Sequence, residues 1–275
     1  MNNCSYFIKD RAMFGSYPTQ EAVEELEHEG VIYFVNLTHE TENKITPYKT
    51  KYNYIKYPIK DRDIPTDLAS YSNFIVNISS IIKNLKNKKK IYIHCKGGHG
   101  RSGVVVASIL CYIFGLTPFE SLEYTTTCHS NRSIMREKWR KIGSPQTYLQ
   151  RKFIYKFFEP YKIYHAYKNS IFLGFSIISK HSVYIENVGL FNNAENAIKE
   201  LTKNKVDKNC IIKNILRLKI EQNEDVCKNI LNTYLRPIIY YSNKNFIENI
   251  DNNIGKILTS IRNKYYSNVD LTSRT

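Results

Sequence analysis

The sequence has no Cys-x-x-Cys pair, and none of its six cysteines (Cys4, Cys95, Cys111, Cys128, Cys210, Cys227) joins histidines at zinc-binding spacing. A structural zinc and a disulfide framework are therefore not expected, and the thiols read as free in a reducing compartment. Long apolar runs are missing too. The longest, Val104 to Leu116, is interrupted by Ser108 and is too short to span a bilayer. The opening residues, MNNCSYFIKDR, turn polar too soon for a signal peptide. These absences predict a cytoplasmic or nuclear protein with no membrane partner. Internal repeats, extended low-complexity tracts and a GxxxxGK[ST] nucleotide loop are also absent. Acidic residues are scarce beside basic ones, 25 against 40, leaving a formal charge of +15. Such a balance favours anionic partners, phosphorylated substrates or nucleic acid, although scattered lysines also fit a merely biased composition.

What is present is enough for a real core. The 275 residues are 42% hydrophobic and can fill one large domain or two small ones. The first half alternates strands and helices. TQEAVEELEHE reads as a polar helix, GVIYFVNL (residues 30–37) as a buried strand and KYNYIKYPI (51–59) as a second strand. Leu68, Tyr71, Ile75, Ile78, Ile82 and Leu85 fall at helical spacing over 67–86. KKKIYIHC is a short strand, SGVVVASILCYIFG a buried helix closed by Gly115, and TPFESLEYTTTC a helix capped by Thr117 with Pro118 in its first turn. This order predicts an α/β fold, a largely parallel sheet flanked by helices. After Phe158 glycine thins out, and Asn193–Lys205, Lys213–Leu235 and Asn253–Tyr266 read as helices. The predicted organisation is an α/β domain over 1–158 and a smaller, mainly helical domain over 159–275, with FFEPYKIYHAYKNS as the junction.

One segment carries chemistry: Ile91-Tyr-Ile-His-Cys-Lys-Gly-Gly-His-Gly-Arg-Ser-Gly103. A strand runs into Cys95, an apolar helix begins past Arg101, and glycines fill the loop between. Such a loop can curl so that the N–H groups of Lys96, Gly97, Gly98, His99, Gly100 and Arg101 point inward around a tetrahedral dianion. The helix N-terminus adds partial positive charge. Arg101 can add a bidentate pair to two phosphate oxygens. The same field favours the thiolate form of Cys95, a nucleophile beneath an in-line phosphate. His94 and His99 are each a candidate base. His94 also suits buttressing of the loop, and His99 a place on the pocket rim. Arg132, Arg136 and Arg140 stand four residues apart, which predicts one helical face, solvated or turned to a second phosphate or acidic substrate.

HCKGGHGRSG resembles the HCxxGxxR[ST]G signature of protein-tyrosine and dual-specificity phosphatases. The resemblance extends over residues 5–158. The segment from Ile8 to Glu42, with its G-S-x-P turn, is similar to the family's opening segment, and SPQTYLQRKFIYKFF to its closing one. It implies a two-step phosphomonoesterase without metal or cofactor, working through a thiophosphate intermediate. Cys95 is the implied nucleophile and Arg101 the phosphate clamp. The general acid maps to Asp61 in YPIKDRDIP, with Asp63 as competitor. Ser102 maps to the hydroxyl that stabilises the departing thiolate, and Gln150 to the glutamine that orients water, with Gln146 close by. The expected partner is phosphorylated protein. An RNA 5′-phosphatase or triphosphatase of the same fold, and a phosphate-binding pseudophosphatase, are the alternatives.

From about Tyr161 a second resemblance appears. GLFNNAENAIKELTKNK, ILRLKIEQNEDVCKNILNTYLRPIIYYS and NNIGKILTSIRNKYYS, in that order, are similar to the NADAR domain, a mainly helical N-glycosidase fold. It implies an ADP-ribose-type nucleotide as ligand, with Ala194-Glu195 at the family's Ala-Glu pair and Glu195 as candidate site residue. Asn252 or Asn253, Gly255 and Leu258 fall at its Asn-x-x-Gly-x-x-Leu helix, and Asp251 is the acid nearest it. The family's Asp-x-x-Trp-Gly segment is missing, so the expected role is binding or packing without turnover.

Overall fold

The computed structural model describes residues 3–43, 45–164, 174, 176–204, 207–241 and 252–267. These fall into two compact units, one within residues 3–158 and one within 159–267.

The first unit is built on five strands, β1 (Cys4–Ile8), β2 (Ala12–Gly15), β3 (Val31–Asn36), β4 (Asn53–Lys56) and β5 (Lys90–His94), in the order β1-β2-β5-β3-β4. All neighbours run parallel except the β1–β2 hairpin. That hairpin was not anticipated from the sequence. β5 lies at the centre, and its last residue, His94, is level with both Gly15 of β2 and Asn36 of β3. Chain leaving β5 therefore emerges at the carboxyl edge of a parallel sheet, where open α/β sheets bind ligands.

Among the described residues this unit has six helices: α1 (Gln20–His28), α2 (Leu68–Asn84), α3 (Arg101–Phe114), α4 (Pro118–Ser130), α5 (Glu137–Ile142) and α6 (Tyr148–Phe157). Their ends follow local chemistry. Thr19 and Asp67 accept N–H bonds at the starts of α1 and α2, and Thr117 and Thr147 form capping boxes with Glu120 and Gln150. α3 is buried all round from Arg101 to Cys111, as a helix apolar on every face from Val104 to Cys111 apart from Ser108 requires. It ends at Gly115, whose φ of 66° only glycine adopts without strain.

The arginine stripe does not exist. α4 ends at Ser130 with Asn131 as its C-cap, Arg132 turns into the interior, and Arg136 only begins α5 as its N-cap. The three arginines therefore share no helix.

In the second unit, α7 (Ala194–Leu201), α8 (Lys208–Gln222), α9 (Glu224–Leu231) and α10 (Asn252–Ser267) surround Ile215, Leu216, Ile230, Tyr240, Leu258 and Ile261. The helix predicted over 213–235 is two helices. Asn223 adopts an extended backbone, and its Nδ2 donates to the Lys219 and Ser182 carbonyls at 2.8 and 3.1 Å, ending α8 from its own side chain. The helix predicted over 193–205 stops at Leu201 and continues as a 3₁₀ turn to Asn204. The unit also holds two small sheets. β6 (Tyr161–Tyr164) pairs in parallel with β9 (Ile238–Tyr241), and β7 (Val183–Ile185) pairs antiparallel with β8 (Gly189–Phe191). Asp251 lies outside the described residues.

Candidate active site

The segment from Cys95 to Gly100 joins β5 to α3 as a tight loop. Gly98 has φ of 71°, and a Cβ there would meet the Gly15 carbonyl carbon at 2.4 Å. Glycine is thus required twice over, for the left-handed turn and for the close approach to β2. Gly103, the third residue of α3, leaves room for the Ser144 hydroxyl, which a Cβ would meet at 2.1 Å.

The loop's carbonyls are tied outward. The Tyr17 N–H donates to the Lys96 carbonyl at 3.1 Å, Arg132 Nη1 to the Gly98 carbonyl at 2.9 Å and Ser144 Oγ to the His99 carbonyl at 2.7 Å. In a trans peptide the N–H opposes the carbonyl, so the N–H groups of Gly97, His99 and Gly100 face away from these three ties. Among the described residues no protein acceptor meets the N–H of Lys96, Gly97, Gly98, His99, Gly100 or Arg101. Gly100, the N-cap of α3, offers no side chain to its first turn. N–H groups without a protein partner at the start of a 14-residue helix can receive an anion.

Cys95 is buried at its floor, with Sγ 3.5 Å from the Ser102 hydroxyl. Arg101 is 2% exposed, and its charge is matched. Nη1 and Nη2 grip both oxygens of Glu42 (Nη2 to Oε2, 3.0 Å). Nη2 also reaches Asp61 Oδ1 at 2.9 Å, and Nη1 the Ile59 carbonyl at 3.0 Å. Burial opposes ionisation of Glu42, but hydrogen bonds from Arg101 and the His39 N–H outweigh it and hold the carboxyl below its usual range. Glu42 was not singled out in the sequence. It sits in the polar stretch THETEN, 59 residues from Arg101, where spacing carries no signal.

Of the two candidate acids, Asp61 is the one that touches Arg101. Asp63 turns back, its Oδ1 accepting the Ile64 N–H at 2.8 Å. Gln150 is buried. Its Nε2 donates to the Asp63 carbonyl at 3.1 Å, and a Cβ on Gly100 would come within 2.9 Å of its Oε1, so it spans from the acid loop to the cradle. The Lys96 side chain points away, donating to the Asn43 carbonyl.

The histidines divide. His94 is fully buried, and its Nε2 pairs with the Tyr48 hydroxyl at 2.7 Å inside a ring of Tyr17, Tyr48 and Tyr92. Burial pushes its pKa down to about 3, so it stays neutral and props the strand end. His99 stacks on Trp139 at 4.7 Å and pairs through Nδ1 with His129 Nε2 at 2.8 Å. Burial, then the charge of Arg132, lowers its pKa to about 4. Together with Gly97, Arg132, Arg136 and Trp139 it lines a cleft of about 260 Å³ beside the loop. Glu195 belongs to the second unit, where it pairs with Lys199 at 3.1 Å on the surface of α7. Among the described residues no cluster of histidine, cysteine and carboxylate side chains is placed to hold a metal, and no helix is long and apolar enough to cross a membrane.

Residues 11–114 match the family described as "Tc-R-P: Polymorphic toxin system, DSP-PTPase phosphatase". Among curated proteins, "Putative tyrosine phosphatase 197R" of Invertebrate iridescent virus 6 is 33% identical over 98% of this chain and 97% of its own length. "Putative tyrosine phosphatase 067L" of Invertebrate iridescent virus 3 is 38% identical over 58% of this chain and 66% of its own length. Among solved structures, Tk-PTP in its active form is 22% identical, with a TM-score of 0.40, over 51% of this chain and 92% of that one.

Proposed function

The chain belongs to the protein-tyrosine and dual-specificity phosphatase family and hydrolyses phosphomonoesters by cysteine-based chemistry, and from that premise we propose that it acts on phosphorylated protein with Cys95 as nucleophile, Arg101 as phosphate clamp and Asp61 as general acid. The observation that carries the reading is the cradle: unpaired N–H groups from Lys96 to Arg101 ring the floor on which Cys95 lies.

The substrate dianion takes up those donors and competes with Asp61 for Arg101 Nη2, while Glu42 keeps the guanidinium plane in place. Asp61, freed from Arg101, turns to the leaving oxygen. The Cys95 thiolate forms the S–P bond as the P–O bond to the leaving group breaks, and the Asp61 carboxyl gives that oxygen its proton. The loop N–H groups and Arg101 hold the equatorial oxygens as negative charge spreads over them. Water then attacks the thiophosphate and passes its proton to Asp61. The P–S bond breaks, and the Ser102 hydroxyl, 3.5 Å from Sγ, donates to the departing thiolate. Gln150, anchored on the Asp63 carbonyl, borders the cradle where that water must stand.

The second unit is read as a binding or packing module without turnover of its own, because Glu195 is engaged with Lys199. Side-by-side assay of phosphotyrosine peptide, phosphoserine peptide and 5′-triphosphorylated RNA tests the substrate. The peptides should be turned over with the higher kcat/KM, and preferential release of phosphate from RNA would overturn this choice.

A further inference from the structure

Arg132 directly follows Asn131, the C-cap of α4, and is 3% exposed. Its guanidinium sits 4.5 Å over the Phe14 ring and donates to the Gly98 carbonyl at 2.9 Å, the Phe14 carbonyl at 3.2 Å and Ser5 Oγ at 3.4 Å. All three acceptors are neutral. Among the described residues no carboxylate pairs with it, and the ionisable groups of acidic type that face it are the Tyr92 phenol and the Cys95, Cys4 and Cys128 thiols. Burial lowers its pKa, but a guanidinium starts so high that it stays charged at neutral pH. The loop thus carries two buried guanidiniums of different standing. Arg101 is neutralised by Glu42 and Asp61, whereas Arg132 is not neutralised. A lone buried cation is unfavourable unless an anion arrives to meet it.

We infer that Arg132 is the unneutralised cation of the phosphate site, holding the Gly98 carbonyl out of the cradle, with the Cys95 thiolate as its counter-ion before substrate binds and the phosphoryl dianion afterwards. The inference rests on the reading of residues 95–101 as the cradle. Arg132 is a positioning residue. Its fork is occupied by the Gly98 and Phe14 carbonyls, so it acts through the loop and through its field, not by touching phosphate.

Two variants of the full chain separate charge from hydrogen bonding. Arg132→Lys keeps a charge and a donor, while Arg132→Gln keeps a donor without charge. The readouts are the rate at which iodoacetamide labels Cys95 at pH 6, followed on the Cys95 peptide, and the inhibition constant of inorganic phosphate. The lysine variant should stay within about threefold of the unmodified protein on both. The glutamine variant should label about tenfold more slowly and bind phosphate about tenfold more weakly, with an unchanged circular dichroism spectrum. A folded glutamine variant that behaves like the unmodified protein overturns the inference. Should that variant not fold, the lysine variant decides alone: a tenfold loss there, with charge retained, overturns it equally. Cys95→Ser runs beside them. Turnover by Cys95→Ser would refute the cradle itself, whereas an inactive Cys95→Ser beside an unaffected Arg132→Gln refutes the role of Arg132 only.

Discussion

The two units bury polar side chains to different ends. In the second, the buried donors close on their own unit. Lys219 Nζ meets the Ser176 carbonyl at 2.7 Å and Ser179 Oγ at 2.5 Å, and Arg262 ties Thr233 Oγ1 and the Arg236 carbonyl at 2.9 and 2.6 Å. Polarity there links helices to loops and is used up. In the first unit Arg101, Ser102, Ser144, Gln150 and Arg132, all buried, converge on one loop, and the sum of their bonds leaves a ring of N–H groups unmet. Lys96 and Gly97 are exposed while Gly98 and Gly100 are buried, so the set of N–H groups without a protein partner opens to solvent, where a ligand can reach it. The contrast locates chemistry in one unit and architecture in the other.

Cys95→Ser breaks the comparison most sharply if it fails. The serine hydroxyl is not ionised at neutral pH, while the cradle is unchanged. Turnover should fall by roughly 10⁴-fold or more, with phosphosubstrate still bound within a few-fold of the normal affinity. Single-turnover assay and equilibrium binding on the same preparation check both halves.

Asp61→Asn comes next. A proton donor at the leaving oxygen is worth about 10²–10⁴-fold, so kcat on an alkyl phosphate should fall by about 10²-fold or more. An aryl phosphate with a good leaving group needs little protonation and should lose much less. Asp63→Asn, whose carboxylate only caps Ile64, should be mild on both. If the two variants exchange behaviour, the acid is Asp63.

The units should also separate on a pH scale. Burial holds His94 and His129 at about 3 and His99 at about 4, with Arg132 adding to the last two. These rings are neutral when folded, whereas in the unfolded chain they take up protons below about pH 6.5. Their contribution to stability is full above about pH 6.5 and is lost as pH falls toward 3–4. For His94 alone the loss between pH 6.5 and 5 is about 2 kcal/mol. In the second unit burial holds Lys219 at about 7 against about 10.4 for a free lysine. The unfolded chain binds that proton more tightly, so this unit should gain stability as pH rises from 7 toward 10. The first unit should not follow, since burial raises the Cys4, Cys111 and Cys128 thiols, whose ionisation in the unfolded chain opposes folding above about pH 8.5, and raises Tyr48, Tyr71 and Tyr92, whose ionisation adds to this above about pH 10. Trp139, the sole tryptophan, lies in the first unit, so its fluorescence follows that unit alone. Lys219→Met should abolish the alkaline gain seen in the remaining circular dichroism transition.

What could be read in the sequence was what is local. The glycines of 97–103, with Cys95 and Arg101 at fixed offsets, must sit between a strand and a helix, and the capping boxes of Thr117 and Gly115 as terminator follow from neighbouring residues. What could not be read depends on contacts across the chain. Glu42 has meaning only because the 59 residues separating it from Arg101 fold back. Arg132 looked like one of a helical stripe because periodicity is blind to a C-cap at Asn131, and only the folded chain shows it passing under Gly98. β1, CSYFI, does not alternate polar with apolar residues although its burial alternates, and β2, AMFG, is four residues buried throughout. Asn223 ends α8 by a side-chain bond that an asparagine in a polar run does not advertise.

The smallest expected effect is at Glu195. It stands in the first turn of α7, where a carboxylate is favoured by the helix dipole, and it pairs with Lys199 one turn on. Such i,i+4 helix pairs contribute only about 0.3–0.5 kcal/mol. Glu195→Gln should therefore leave kcat/KM for a phosphopeptide within twofold and barely move the melting of either unit. The same variant tests the second unit for chemistry of its own. Incubated with an ADP-ribosylated nucleotide, the unmodified chain and Glu195→Gln should both release no free base. Base release by the unmodified chain that disappears in Glu195→Gln would place an N-glycosidic active site in the second unit. The division of labour between the two units would then be wrong in its simplest form, since a carboxylate engaged only with Lys199 in the ligand-free protein would have been held ready for substrate.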